Sequence, residues 1–107
     1  MGTIHDFEVP LTDKDVIDVR IVTEKGKITG FVINLRCKFG NVWYQVYRID
    51  TCHEYLHEQR FWISPEPISL PTFEGYSLQH TFEFFMNAVK ENYERYRKYY
   101  EERMSLR

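Results

Sequence analysis

Only two cysteines occur in the 107 residues, Cys37 and Cys52, and they do not form a C-x-x-C arrangement. That excludes a disulfide scaffold and makes free thiols in a reducing compartment the expectation. With 5 glycines and 4 prolines the chain is neither low-complexity nor collagen-like. Neither charge sign dominates: 14 Lys and Arg against 16 Asp and Glu give a formal net charge of −2. No whole-molecule field therefore draws it to nucleic acid, which leaves only a local basic patch for RNA. No apolar run approaches the length of a membrane span, and Met1 to Asp6 carries no leader pattern. A soluble, cytoplasmic protein that does not enter membranes is expected.

Aromatic residues are abundant, with 8 Tyr, 8 Phe and 2 Trp, so the core should be built from large rings. A chain of this length forms one domain (1–107) and buries roughly 65% of its unfolded surface, enough to stand without staples. Residues 1–14 read as an irregular arm because of Pro10 and the polar run Thr12-Asp13-Lys14-Asp15. From 15 to 63 the pattern is that of an antiparallel sheet. Ile17, Val19 and Ile21 alternate with Asp18 and Arg20; Phe31, Ile33, Leu35, Cys37 and Phe39 alternate with Asn34, Arg36 and Lys38. Gly40-Asn41 is a two-residue hairpin signal, followed by a strand from Val42 to about Asp50.

That hairpin predicts Phe39 opposite Val42, Leu35 opposite Val46 and Ile33 opposite Arg48. Continued alternation then puts Val42, Tyr44, Val46, Arg48 and Asp50 on the core face. On the outward face it puts Val32, Trp43, Tyr47 and Ile49, an apolar patch of the kind a homodimer or a small protein partner covers. For the first hairpin, a three-residue loop at Lys25-Gly26-Lys27 pairs Ile21 with Phe31, whereas a two-residue loop would bury Arg20. Residues 51–56 read as a turn and His57 to Ile63 as a fourth strand, although Thr51-Cys52-His53-Glu54 also has the form of a helix capping box. Prolines 65, 67 and 71 with Gly75 mark a loop over 64–76. Leu78, Phe82, Phe85, Met86, Val89, Tyr93, Tyr96 and Tyr100 recur at helical spacing, which predicts a helix over 77–104 capped by Ser77. The fold class is therefore α+β: a three- to four-stranded antiparallel sheet with one long C-terminal helix on one face.

The chemistry-bearing residues gather at the end of the third strand, in Arg48-Ile49-Asp50-Thr51-Cys52-His53-Glu54-Tyr55-Leu56-His57. His53-Glu54-Tyr55-Leu56-His57 matches the zinc-protease signature H-E-x-x-H, which needs both imidazoles on one helical face and the Glu as base. His80 or Glu83 would have to supply a third ligand. Without protease activity, His53 and His57 with Asp50 make a site for zinc or manganese. Without metal, the two histidines as acid and base, with Arg48 on the phosphate, suit RNA cleavage. The bland reading pairs Arg48 with Asp50 and leaves the histidines in solvent. Cys52, with no orienting group, reads as a small packed residue.

The run Trp43-Tyr44-Gln45-Val46-Tyr47-Arg48-Ile49-Asp50, the R-x-D-x-x-H-x-x-x-H spacing from Arg48 to His57, and the helix segment Val89 to Tyr96 resemble a small prokaryotic family of unassigned function. They share a look with TumE-like toxins of toxin–antitoxin loci. The resemblance spans roughly residues 17 to 100 in order. It implies a site at Arg48, Asp50, His53 and His57, and it implies no particular reaction. Two departures matter: Glu54 stands where the family often has glycine, and Glu58-Gln59 where it often has a further histidine. Three functions are thus in view: a toxin-like RNA-acting protein, a non-enzymatic homodimeric or partner-binding module, and a small zinc-dependent hydrolase.

Overall fold

The computed structural model describes residues 2–52, 55–70 and 77–105. Six strands follow one another, β1 Thr3–Thr12, β2 Asp15–Glu24, β3 Lys27–Phe39, β4 Val42–Cys52, β5 Tyr55–Arg60 and β6 Ile68–Leu70, and a helix α1 runs over Leu78–Ser105. The strands form one antiparallel meander in chain order. The architecture is α+β as expected, with six strands where three to four were expected.

The two added strands lie at the edges. Residues 3–12 pair with β2 instead of forming an arm, with Phe7 opposite Val19 and Val9 opposite Ile17. Phe7, Val9 and Leu11 alternate with Asp6, Glu8 and Pro10, a period hidden by the proline. Pro10 is tolerated because β1 is an edge strand, where a missing N–H interrupts no inner ladder. At the other edge, β6 falls inside the Pro-rich 64–76 segment, of which 71–76 lie outside the described residues. β5 begins at Tyr55 and stops at Arg60, so Phe61 and Trp62 sit in a turn instead of extending the strand.

The β2–β3 and β3–β4 hairpins each contain a bulge. Lys25 and Gly26 form a two-residue turn, both with positive φ (52° and 77°), as hairpin twist requires. Glu24 pairs with Lys27, and the register then shifts at Thr29, so that Ile21 still meets Phe31 and Val19 meets Ile33. The central pairing is therefore the expected one, reached by a shorter loop plus one extra residue.

The second bulge changes more. Arg36 pairs with Gln45 but Leu35 pairs with Tyr47, so Val46 is the extra residue. Beyond it Ile33 meets Ile49, Asn34 meets Arg48 and Val32 meets Asp50. The expected faces of Tyr47 to Asp50 are thereby exchanged: Tyr47 and Ile49 are core residues (2% and 0% exposed), and Arg48 and Asp50 turn outward. Val46 stays buried as well. A one-residue slip moves every following side chain to the opposite face, and here it removes two charges from the core and seats two large side chains in their place. Val42, expected inside, is exposed at the hairpin tip.

The helix begins as its sequence predicts, with the His80 N–H donating to Ser77 Oγ (3.2 Å). Its apolar stripe buries Phe85, Met86 and Val89 against the sheet, with Leu78, Phe82, Tyr93, Tyr96 and Tyr100 partly covered. Phe82 meets Phe31 near the start of β3 and Tyr100 stacks on Phe39 at its end, so the helix follows β3 and covers one face of the sheet. No helix among the described residues is long and apolar enough to cross a membrane. Near its C-terminal end Arg97 donates to Asp15 Oδ1 (2.8 Å), to the Lys38 carbonyl (2.7 Å) and to the Lys14 carbonyl (3.3 Å). Burial raises the Asp15 carboxyl pKa, but hydrogen bonds from Thr12, Arg97 and Cys37 outweigh it and hold the group below its ordinary value of 3.8.

Deleting Val46 removes the extra residue without changing any face; the variant should unfold cooperatively in urea, about 2–3 kcal/mol less stable through the loss of one buried valine. An alanine inserted after Tyr47 should abolish the cooperative transition, because it returns Arg48 and Asp50 to the core. Arg97→Ala should cost about 3 kcal/mol at neutral pH by stranding a buried carboxylate. Since the folded pKa of Asp15 is depressed, its contribution is complete above 3.8 and is lost as pH falls below that value, so the gap to wild type should narrow in acid.

Candidate functional site

The sheet face turned away from the helix carries the polar side chains in rows. One row crosses all six strands: Asp6, Arg20, Val32, Asp50, His57 and Ser69 are successive cross-strand partners. The next runs Glu8, Asp18, Asn34, Arg48 and Gln59. Arg36 with Gln45 and Lys38 with Trp43 continue the face toward the β3–β4 turn. The β1–β4 part of this face, with Asp6, Glu8, Asp18, Arg20, Arg36 and Arg48 in its walls, forms an open groove of about 710 Å³.

Every arginine on this face is held by a carboxylate. Arg20 grips Asp6 with Nε and Nη2 (2.7 and 3.0 Å), and this hydrogen bonding lowers the Asp6 pKa. Arg36 bridges Asp18 (2.8 Å) and Glu8 (3.0 Å) while its guanidinium lies 4.7 Å from the Trp43 ring centroid. Arg48 Nε donates to Asp50 Oδ2 at 2.9 Å. The cations are thus fixed in place and largely neutralised, which gives a surface offering donors and acceptors side by side.

The expected site residues are distributed as follows. Arg48 and Asp50 are paired, and Asp50 faces His57 across β4 and β5, so three of the four share one corner of the outer face. His53 lies outside the described residues. Tyr55, Leu56 and His57 are extended. The H-E-x-x-H geometry needs His57 on a helix, whereas it stands on a strand. Among the described residues no group of three or more His, Cys, Asp or Glu could hold a metal ion. Of the expected interface, Val32 and Trp43 lie on the outer face, whereas Tyr47 and Ile49 are in the core.

A polar cluster on the core side went unforeseen. Glu58 is buried, accepting from Tyr47 Oη (2.6 Å) and Arg60 Nε (2.9 Å), under a stack of Tyr47, Trp62 and Tyr96. Burial and the Glu58 contact push the Tyr47 hydroxyl pKa up. Glu58 and Arg60 occupy alternate positions on β5, the one sequence signal for this pair. Burial and Asp15 likewise raise the Cys37 thiol pKa, and the side chain is fully buried.

The chain matches, over residues 1–106, the family described as a domain of unknown function, DUF7718, and it belongs to that family. No curated protein and no solved structure matches it.

The outer pairs differ in burial, which yields a test. The Asp50 side chain is 17% exposed and that of Asp6 is 56%. Arg48→Ala should therefore lower stability in urea by about 1 kcal/mol, screening included, while Arg20→Ala should leave the midpoint unchanged.

Proposed function

We propose that this protein is a non-enzymatic binding module whose outer sheet face receives a small protein partner. The observation that carries this reading is the charge balance of the outer face. Arg20, Arg36, Arg48 and Lys38 stand among Asp6, Glu8, Asp18 and Asp50, and each arginine already has a carboxylate partner. A polyanion would have to displace those carboxylates before gaining its phosphate contacts. A protein surface can match both signs at once, with Trp43, 38% exposed, as an aromatic anchor. An apolar homodimer through this face loses its basis, since Tyr47 and Ile49 are in the core.

A second reading is favoured by one observation: Arg48, Asp50 and His57 share a corner on adjacent strands. These are three of the four residues the toxin-like, RNA-acting hypothesis asks for, with His57 as one of its two acid–base histidines.

Affinity purification of the protein from its own host at native expression level separates the two. The binding reading expects a stoichiometric protein partner that is lost in Arg36→Glu/Trp43→Asp, with the circular dichroism spectrum unchanged. It fails if that partner is retained by the variant. Salt-dependent binding of a single-stranded RNA oligonucleotide, with cleavage abolished by His57→Ala in a folded protein, would put the RNA reading first.

A further inference from the structure

We propose that the free edge of β1, with the groove beside it, docks an extended peptide in which apolar and basic residues alternate. This goes beyond the outer-face reading, because it uses the main chain of the edge strand. β1 is 10 residues long and pairs only with β2 among the described residues. Alternate residues of an edge strand turn their N–H and C=O groups outward, a template for one more strand.

The side chains around that edge specify what the strand should carry. Because α1 follows β3, it leaves the helix-side face of β1 half uncovered. Phe7 is 44% exposed, and a groove of about 350 Å³ runs between β1 and α1, walled by the apolar Phe7, Val9, Phe82 and Met86 and by Glu83, Asn87 and Lys90 of the helix. A strand added to β1 sets every second side chain beside these residues, where apolar groups fit. Its other side chains fall on the outer face directly opposite Asp6 and Glu8, whose side chains are 56% and 62% exposed. The guanidiniums that pair with them belong to Arg20 and Arg36, one and two strands inboard. The carboxylates are therefore the outermost charged groups at this edge, each paired only from its inboard side, and opposite charges across a strand pair are favoured.

A second copy fits this edge poorly. Antiparallel pairing of two β1 strands centred on Phe7 sets Asp6 against Glu8 twice, and centring on Asp6 or Glu8 sets a carboxylate against itself. Moving the axis to Val9 brings Pro10, with no N–H, into the middle of the ladder.

The test uses the full chain labelled with ¹⁵N and a blocked ten-residue peptide alternating Val and Lys. The expected result is a set of amide shifts and slowed hydrogen exchange confined to β1. A peptide with Glu in place of Lys should not bind, nor should one whose alternate amides are N-methylated. Asp6→Asn/Glu8→Gln should weaken the Val-Lys peptide about tenfold, as two cross-strand charge pairs imply. No binding would overturn the proposal, as would equal binding of the Glu peptide, survival of binding after N-methylation, or shifts centred on Arg36 and Trp43. Concentration-dependent protection of β1 without peptide would mean that a second copy takes the edge, and would also overturn it. The peptide arms need no altered protein, so an unfolded variant does not blunt the test. Loss of a native partner from Arg36→Glu/Trp43→Asp bears on the groove alone.

Discussion

The single extra residue in β4 is the constraint on which the rest depends. Because Val46 has no partner in β3, Tyr47 and Ile49 turn inward while Arg48 and Asp50 turn out. The inward pair supplies the ring that Tyr96 and Trp62 stack on and the hydroxyl that satisfies Glu58. The outward pair completes the row of charges across the sheet. The same sequence paired residue for residue, without the bulge, would bury an arginine and an aspartate under the helix and expose a tyrosine and an isoleucine. The cost of one local irregularity is small beside that exchange.

From this follows a division of labour between the two faces. The helix side holds the aromatic core and two satisfied polar clusters, Glu58 with Tyr47 and Arg60, and Asp15 with Arg97 and Thr12. No buried side-chain polar atom among the described residues lacks a partner, as stability requires. The outer side keeps its arginines on short carboxylate contacts. Such pairs add little stability where exposed, but they hold the groups of the groove in fixed positions, which favours recognition of a partner. Hairpin connections without long crossovers let a meander of this kind form from neighbouring strands, so the face assembles from local pairings.

Much of the fold was legible from spacing. The alternation in β2 and β3, the Gly40-Asn41 turn, the Ser77 cap and the stripe from Leu78 to Tyr100 all correspond to elements seen. β1 was hidden because edge strands tolerate Pro10 and exposed polar residues, which are also the marks of a loop. The Thr29 and Val46 bulges were hidden for a different reason. Alternation rules presume one residue per partner, and an inserted residue leaves the local composition unchanged. Arg48 and Asp50 were therefore expected on the core face, whereas both turn outward.

The sequence by itself determined the class of fold, the helix and its buried stripe, and the strands with strong period-two patterns, because these depend on side-chain chemistry within a few neighbouring residues. Only the tertiary structure decided which face each residue past Gln45 takes, and which charges meet. Those choices rest on a competition between distant groups: whether Tyr47 and Ile49, or Arg48 and Asp50, are buried beneath a helix some forty residues further along the chain. No local pattern carries the outcome of that competition, because it is settled when the helix and the sheet meet.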